Sequence, residues 1–333
     1  MTATESVSLE LDDIQSGALH ERPSPYVGSY VMLRIDDRAA GRELVRRLRD
    51  VVDSGRPSSD PARDAWVTVA FTYHGLKALG VPQASLDSFA PEFREGMAAR
   101  ATLLGDVGES GPEHWEKPLG SSEVHVALAA LSRDAARLQK VVERARRAHE
   151  ELAGVEVVWQ QDCYQLPSGR TSFGFKDGIG QPGVEGSGRP PSNPQERPLK
   201  AGEIILGYPD ETGELPPMPT PDVLGRNGTY VVFRKLHTKV AAYRQYLRAK
   251  APTASRRRGS ARRWSDAGRA ALRSPSPPSA TTRSSGVTRD ATTTSATATI
   301  RAASSAPRAR TRDARTRAMH STAKAASTSG CTA

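Results

Sequence analysis

Cysteine is nearly absent from this sequence, which has only Cys163 and Cys331 among its 333 residues. Two distant cysteines form neither a disulfide framework nor the paired spacing of a zinc site. Long apolar runs are also missing, so the sequence predicts no membrane span. The residues after Met1 are polar and lack the basic and apolar segments of a secretory signal. We therefore expect a cytoplasmic protein that does not associate with membranes.

Large apolar side chains are scarce in the last quarter of the chain, residues 251–333. Among aliphatic, aromatic and methionine side chains larger than Ala, this stretch holds five, which are Trp264, Leu272, Val287, Ile300 and Met319. Such a stretch buries too little apolar surface to offset the conformational entropy that is lost on folding. We predict that residues 251–333 form a disordered tail.

Positive charge is concentrated in the same tail. It carries fifteen Arg and one Lys against three Asp, a net charge of +13, so the first 250 residues carry −3 of the chain's +10. A tail of this charge can bind nucleic acid by releasing counterions. It lacks, however, the interleaved aromatic residues that stack on single strands. A solvated tail without a binding role is therefore favoured, and nucleic-acid binding is the less favoured alternative.

Residues 25–165 have the pattern of one small α+β domain, preceded by a polar, irregular segment at residues 1–24. Two stretches with helical periodicity alternate with four apolar stretches of strand length. Asp36 or Asp37 can cap the first helix, and Ser132 can cap the second. The predicted strands are Gly28–Ile35, Ala65–Phe71, Val124–Leu131 and Val155–Gln161. This order of elements predicts a split βαβ, ferredoxin-like domain.

Residues 166–250 open a second unit of the same kind. A stretch rich in Gly and Pro leads into predicted strands at Gly202–Tyr208 and Tyr230–Leu236. A helix is predicted at Lys239–Lys250, and its apolar stripe consists of Val240, Tyr243 and Leu247. The pattern stops there. The predicted fold class is therefore α+β with tandem ferredoxin-like domains, the second incomplete, followed by the disordered tail.

A glycine-rich motif with one carboxylate lies between the two units, at Gly174-Phe-Lys-Asp177-Gly178. Asp-Gly alone is typical of a turn. The residues from Gly178 on also match Gly-x-Gly-x-x-Gly, but Pro182 and the Gly and Pro residues after it exclude the helix that a dinucleotide site requires. The motif is therefore not a dinucleotide fingerprint, and Asp177 is the candidate for chemistry.

Four segments of the chain resemble, in order, signature segments of the dye-decolorizing peroxidases. Gly174–Gly178 resembles the Gly-x-x-Asp-Gly motif of that family. Phe71–Pro82 resembles a first-domain signature, and Gly202–Pro209 and Leu224–Leu236 resemble later segments. The resemblance covers roughly residues 20–250. It implies tandem ferredoxin-like domains of the dimeric α+β barrel type.

The resemblance also implies a haem b cofactor, with hydrogen peroxide and aromatic reductants such as dyes and phenols as substrates. Asp177 would lie on the distal face of the haem, take a proton from peroxide as a base and return it as an acid while a ferryl intermediate forms. The residues around it would contact the haem, namely Phe173, Gly174, Phe175, Gly178, Ile179 and Gln181. Family members often assemble, so the resemblance is compatible with a homo-oligomer.

No metal ligand is assigned from the sequence. In the family the axial histidine and a distal arginine lie downstream of the segment that ends here at Leu236, where this chain enters its apolar-poor tail. His237 and His320 remain as candidates, and neither has the expected neighbours. We hypothesise a frameshift near Ala251, because Ala, Arg, Ser, Thr and Pro are residues that GC-rich codons give in a wrong frame. The interpretations are a peroxidase with impaired activity, an inactive remnant, and a binding protein with a basic tail.

Overall fold

The computed structural model describes residues 8–20, 22–56, 65–177 and 181–250, and the backbone of residues 296–299. Three residues singled out above, Gly178, Ile179 and His320, lie outside the described residues. So does the remainder of the predicted tail.

A four-stranded antiparallel sheet forms the centre of the fold. Its strands are β1 Val27–Ile35, β2 Ala65–Phe71, β3 Val126–Ser132 and β4 Val155–Tyr164. Their spatial order is β2, β3, β1, β4, so β2 and β4 are the edges. The register of the β1–β4 pair shifts after Met32, where the sheet has a bulge. The order is that of a ferredoxin-like domain, and the predicted α+β class is confirmed.

Two helices cover one face of the sheet, α2 Arg38–Arg49 and α7 Ala135–His149. Asp37 caps α2 by accepting a backbone hydrogen bond of 2.8 Å from its first turn, as the sequence allowed. Asp134 caps α7 in the same way, also at 2.8 Å. The predicted cap at Ser132 was wrong, because that residue is the last one of β3 and still pairs with Val27.

The main core lies between these helices and the sheet. Side chains alternate across a strand, so every second residue of β1, β2 and β3 points to the helices. The most deeply buried members of this core are Leu33, Leu44, Leu48, Val67, Val126 and Leu128. Each such side chain contributes roughly 1.5–3 kcal/mol by leaving water, so this core is the main source of stability for the sheet.

The opposite face of the sheet carries a second, aromatic core that includes Tyr30 and Trp159. Strand β5, Val232–Lys235, lies over this face. The ring of Phe233 is 5.5 Å from the ring of Tyr30 and 5.9 Å from that of Trp159, measured between centroids. Through Phe233, strand β5 therefore packs against the sheet of the first domain.

The N-terminal segment is bound to a part of the chain far along the sequence. It contains one helical turn, α1 Ser16–Leu19, where the sequence predicted irregular structure. The side-chain amide of Asn227 donates to the carboxylates of Glu10 and Asp13, each at 2.7 Å, and its oxygen accepts from the Tyr208 hydroxyl at 2.7 Å. Asn227 is buried, so this network satisfies its polar atoms.

Short elements connect the strands and helices. The helices are α3 Tyr73–Ala78, α4 Gln83–Asp87, α5 Pro91–Ala99 and α6 Ala101–Leu104. Single 3₁₀ turns occur at Gly108–Ser110, Pro112–His114, Ala201–Glu203 and Asp222–Leu224. None of the helices within the described ranges combines the length and apolarity that crossing a membrane requires.

The predicted strand Gly202–Tyr208 was wrong. The chain folds back on itself here, and the N–H of Gly202 donates to the carbonyl of Pro209 at 2.9 Å. A Cβ on Gly202 would lie 2.2 Å from the Tyr208 carbonyl oxygen, so the closure requires glycine. The apolar residues that suggested a strand instead bury Ile205 and Tyr208 against the N-terminal segment.

Two of the remaining elements lie in residues 166–250, the segment predicted to begin a second unit. The predicted strand at Tyr230–Leu236 is the shorter β5, and the predicted helix is α8 Val240–Lys250. Its apolar stripe is only half-buried, at Val240, Tyr243 and Leu247. Strand β5 pairs antiparallel with β6 Ala296–Thr299, a strand that the sequence analysis did not predict within the tail. The rest of the predicted disordered tail lies outside the described residues.

Candidate active site

The Gly-Phe-Lys-Asp motif lies in a narrow hairpin-like loop that follows β4. The N–H of Thr171 donates to the carbonyl of Phe175, and the N–H of Gly174 donates to the carbonyl of Thr171, each at 2.8 Å. Gly174 has a φ of 93°, a conformation that favours glycine and closes the turn. The N–H of Asp177 returns to the carbonyl of Gly169 at 3.1 Å. This loop fixes the backbone of Asp177.

The carboxylate of Asp177 points inward although the two residues before it are exposed. Its side chain is 4% exposed. Its one recorded polar partner is Arg22, whose Nη2 lies 3.5 Å from Oδ2. A buried carboxylate requires a compensating charge or hydrogen bonds, and within the described part of the chain Arg22 supplies that charge.

Arg22 is held by the residue that precedes the first strand. Its Nη1 donates to the hydroxyl of Tyr26 at 3.2 Å, and its guanidinium carbon lies 4.9 Å from the centroid of the Tyr26 ring. Tyr26 is buried, and its carbonyl accepts from the N–H of Gln165 at 2.8 Å. Arg22 was not predicted from the sequence, because no pattern relates it to Asp177, 155 residues later.

The two phenylalanines of the motif pack against helix α8. The ring centroids of Phe173 and Phe175 lie 4.8 and 6.3 Å from that of Tyr243. Phe175 remains 56% exposed. The structure therefore brings the motif together with the second unit, while a contact of these rings with a cofactor stays a prediction.

The other residues expected to contact a cofactor are less defined. Gln181 is half-buried, and its carbonyl accepts from the N–H of Ser192 at 3.0 Å. Gly178 and Ile179 lie outside the described residues. Two open surface depressions of about 530 and 490 Å³ are lined by other parts of the chain, the end of α7 with the start of β4, and the segment from Leu9 to Asp13 with Arg56.

The hairpin has features that suit the distal side of a haem. Asp177 offers a buried carboxylate, and Gly174 lets the backbone approach without a Cβ. The hydroxyl Oγ1 of Thr171 is buried and has no hydrogen-bond partner among the described residues. The residues of this hairpin fit one face of a haem. The hairpin has no imidazole that could bind the iron from the other face.

His125 is not available as an axial ligand. His125 uses both ring nitrogens, since Nδ1 accepts from the Ile35 N–H at 2.9 Å and Nε2 bonds the Ser122 carbonyl at 3.1 Å. Burial lowers the pKa of His125 below its ordinary value. His237 is exposed. Over the part of the chain that the structure describes, no three metal-ligating side chains cluster together.

Comparison with known proteins gives consistent matches. Residues 45–158 match the family model described as the DyP dimeric alpha+beta barrel domain. A dye-decolorizing peroxidase of Exidia glandulosa is 28% identical over 257 residues, which cover 74% of this chain and 47% of that protein. One from Auricularia auricula-judae is 27% identical over 267 residues, covering 75% of this chain and 47% of that protein.

Solved structures agree on the fold. A fungal DyP-type peroxidase from Auricularia auricula-judae superposes with a TM-score of 0.60 and 25% identity, covering 77% of this chain and 54% of that chain. A dye-decolorizing peroxidase in complex with 2,6-dimethoxyphenol gives a TM-score of 0.60 and 24% identity, covering 73% of this chain and 53% of that chain. The chain spans about a third to a half of the length of the curated relatives it matches, from 34% to 47%.

Proposed function

The family model, the curated relatives and the solved structures all indicate the dye-decolorizing peroxidases, and from this premise we propose that the chain provides the distal side of a haem peroxidase. Peroxidases of this family depend on haem. We propose Asp177 as the acid–base residue and Phe173, Gly174, Phe175, Gly178, Ile179 and Gln181 as residues that contact the haem. The observation that carries the proposal is the buried carboxylate of Asp177, in the family's motif, beside one arginine.

Haem, when bound, supplies the electron transfer that reduces peroxide and oxidises a second substrate. The task of this chain's own residues is to handle protons. A carboxylate that is buried and aimed inward accepts a proton from hydrogen peroxide and later donates it to the oxygen that departs as water. The side chain of Asp177 is itself shielded from bulk solvent, at 4% exposed, so the proton would pass between peroxide and this carboxylate.

The identity of the reductant follows by analogy. The family implies hydrogen peroxide and a reducing substrate, and one solved relative is in complex with 2,6-dimethoxyphenol. We propose phenols and aromatic dyes as reductants for this chain. A homo-oligomer and a cytoplasmic location are retained as predictions from the sequence, and nucleic-acid binding by the tail remains the less favoured alternative.

The experiment is a haem titration of the purified 333-residue protein, followed by its Soret band and by peroxide-dependent oxidation of an aromatic dye. The proposal predicts a sharp spectrum and dye oxidation, which requires that a histidine of this chain, such as His237 or His320, binds the iron. Asp177→Asn keeps the shape of the side chain but removes the base. We therefore expect the rate of dye oxidation to fall by about 10²-fold or more. Lys176→Gln, an exposed change in the same loop, is the matched control and leaves the rate unchanged.

Two results would contradict the proposal. A broad spectrum like that of free haem, without dye oxidation, favours the inactive remnant that the sequence analysis kept as its alternative. A sharp spectrum with equal rates for Asp177→Asn and Lys176→Gln shows that haem binds but that Asp177 is not its acid–base residue.

A further inference from the structure

The carboxylate of Asp177 is engaged on one side only. Oδ2 faces Nη2 of Arg22 at 3.5 Å, while no hydrogen bond to Oδ1 occurs within the described part of the chain. The distance is long for a charge-assisted hydrogen bond, which is usually shorter than 3 Å. The pair therefore orients the carboxylate without occupying both of its oxygens.

Arg22 reaches Asp177 from a partly buried position against Tyr26. Its side chain is 19% exposed and lies against the buried ring of Tyr26, whose hydroxyl it also contacts at 3.2 Å. Tyr26 comes directly before β1, an inner strand of the sheet. The planar guanidinium contacts the ring face and donates to two oxygens in a fixed fork geometry, which the flexible ammonium of a lysine lacks.

We propose that Arg22 is the positioning residue of Asp177. It anchors Oδ2 and turns Oδ1 toward the substrate side as the oxygen that exchanges the proton. This inference rests on the proposed function, because it assigns the supporting group for the same acid–base residue. The geometry of the site then depends on the segment that leads into β1, which contains Arg22, as well as on the loop that contains Asp177.

The contact itself is tested in the full chain before haem is added. Arg22→Gln leaves a buried carboxylate without its counter-charge, and we expect the unfolding equilibrium constant to rise about tenfold. In the Asp177→Asn background the same change is expected to raise it about twofold or less, because no charge is left to compensate. Arg34→Gln, which breaks a partly exposed ion pair elsewhere on the sheet, is the control and shows equal effects in both backgrounds.

The positioning role is tested by the rate of reaction of the haem-loaded protein with peroxide. Arg22→Gln is expected to lower the rate about tenfold, a share of the 10²–10⁴-fold that acid–base catalysis contributes. Arg22→Lys restores part of the loss because it returns the charge. In the Asp177→Asn background, Arg22→Gln makes no further difference, since Arg22 acts through Asp177. A merely structural residue would not show that dependence.

Each outcome decides between the two proposals. Equal effects of Arg22→Gln on unfolding in both backgrounds overturn the contact. A contact without any change in the peroxide rate overturns the positioning role. If the unsubstituted chain does not react with peroxide, the proposed function and the positioning role both fail, while the unfolding measurements still decide whether the pair exists.

Discussion

The side chain of Gln15 pairs with the peptide group of Val69 as a neighbouring strand would. Its Nε2 donates to the Val69 carbonyl at 3.0 Å, and its Oε1 accepts from the Val69 N–H at 2.9 Å. Two residues earlier in the same strand, Val67 is paired by Asp53 in the same way. The N–H of Val67 donates to Oδ2 of Asp53 at 2.9 Å, and the N–H of Asp53 donates to the Val67 carbonyl. Strand β2 is an edge of the sheet, and these contacts prevent its free backbone groups from pairing with a strand of another chain.

Removing the amide of Gln15 leaves both polar groups of Val69 without a partner. We expect Gln15→Ala to lower the free energy of unfolding by about 1–3 kcal/mol, measured by chemical denaturation. Gln15→Glu keeps the acceptor but places a carboxylate oxygen against the Val69 carbonyl, so it should be no better than Ala. Gln83→Ala, at an exposed site, is the control. Equal losses at both positions would rule out a specific role for the pairing.

At Gly154 both the backbone conformation and the lack of space disfavour a methyl group. Its φ is 91°, and an added Cβ would lie 2.6 Å from the Cβ of Asp37, the cap of α2. We expect Gly154→Ala to cost about 2–4 kcal/mol, since strain and a clash add. Gly213→Ala is the matched control, because Gly213 has a φ of 81° with open space around it. Its cost should be about 1–2 kcal/mol, from strain alone. Similar costs at the two sites would mean that the clash is relieved.

Several ion pairs join the loop before β3 to the second unit, and two of them differ clearly in burial. The carboxylate of Asp106, 11% exposed, binds Arg234 through both oxygens, while Glu109, 86% exposed, binds Lys239. We expect Asp106→Asn to lower the free energy of unfolding by about 1–3 kcal/mol, because it strands a partly buried guanidinium. Glu109→Gln should cost less than about 0.5 kcal/mol. A loss for Glu109→Gln as large as that for Asp106→Asn would show that burial does not govern these pairs.

The free energy of unfolding should decrease as the pH is lowered below the ordinary pKa of histidine. Burial lowers the pKa of His125 from its ordinary 6.5, and its Nδ1 must stay unprotonated to accept from Ile35. The unfolded chain therefore binds a proton before the folded chain does. The contribution is complete above pH 6.5 and is lost as the pH falls from 6.5 to the lowered folded value.

Denaturation between about pH 7.5 and 5.5 measures this dependence. His125→Asn keeps an acceptor and cannot be protonated, so it should reduce the slope. The slope should not vanish, because burial also lowers the pKa values of His20, His74 and His149. His114→Asn, at an exposed position, serves as the comparison. An unchanged slope in His125→Asn would refute the assignment.

The frameshift hypothesis can be tested on the underlying DNA. If the composition change after Ala251 reflects a shifted frame, one of the other two frames should encode an apolar-patterned continuation with a histidine followed by Ile and Arg. Restoring that frame should then provide an axial histidine with the neighbours that His237 and His320 lack. Two alternative frames without such a pattern would refute the hypothesis.

The first domain could be predicted from the sequence because burial on a sheet leaves a strong pattern. Strand β2 was predicted at its observed limits, and the other three strands differ from prediction by one to three residues at an end. The helix cap at Asp37 follows from chemistry within a few residues. Gly202–Tyr208 failed because an apolar run does not reveal whether it pairs with a strand or packs under a loop, as Ile205 does.

The site could be predicted only in part. The motif identified Asp177 through local sequence, but the contact with Arg22 depends on how two distant segments meet, and no local pattern encodes that. Strand β6 was missed for a different reason, because Ala and Thr in Ala296–Thr299 give no burial signal. The packing of Phe173 on Tyr243 likewise depends on where the second unit lies.

The ties of the N-terminal segment to residues late in the chain set an order of assembly during synthesis. The four strands can pair once Tyr164 has left the ribosome, since domains fold as units when their residues are available. Arg22 can contact Asp177 only after Asp177 has emerged. Glu10 can contact Asn227 only after a further stretch of synthesis, because Asn227 lies 217 residues after it. Contacts of such long range form slowly. The chain closes over its own beginning last, so the site is completed on a sheet that is already built.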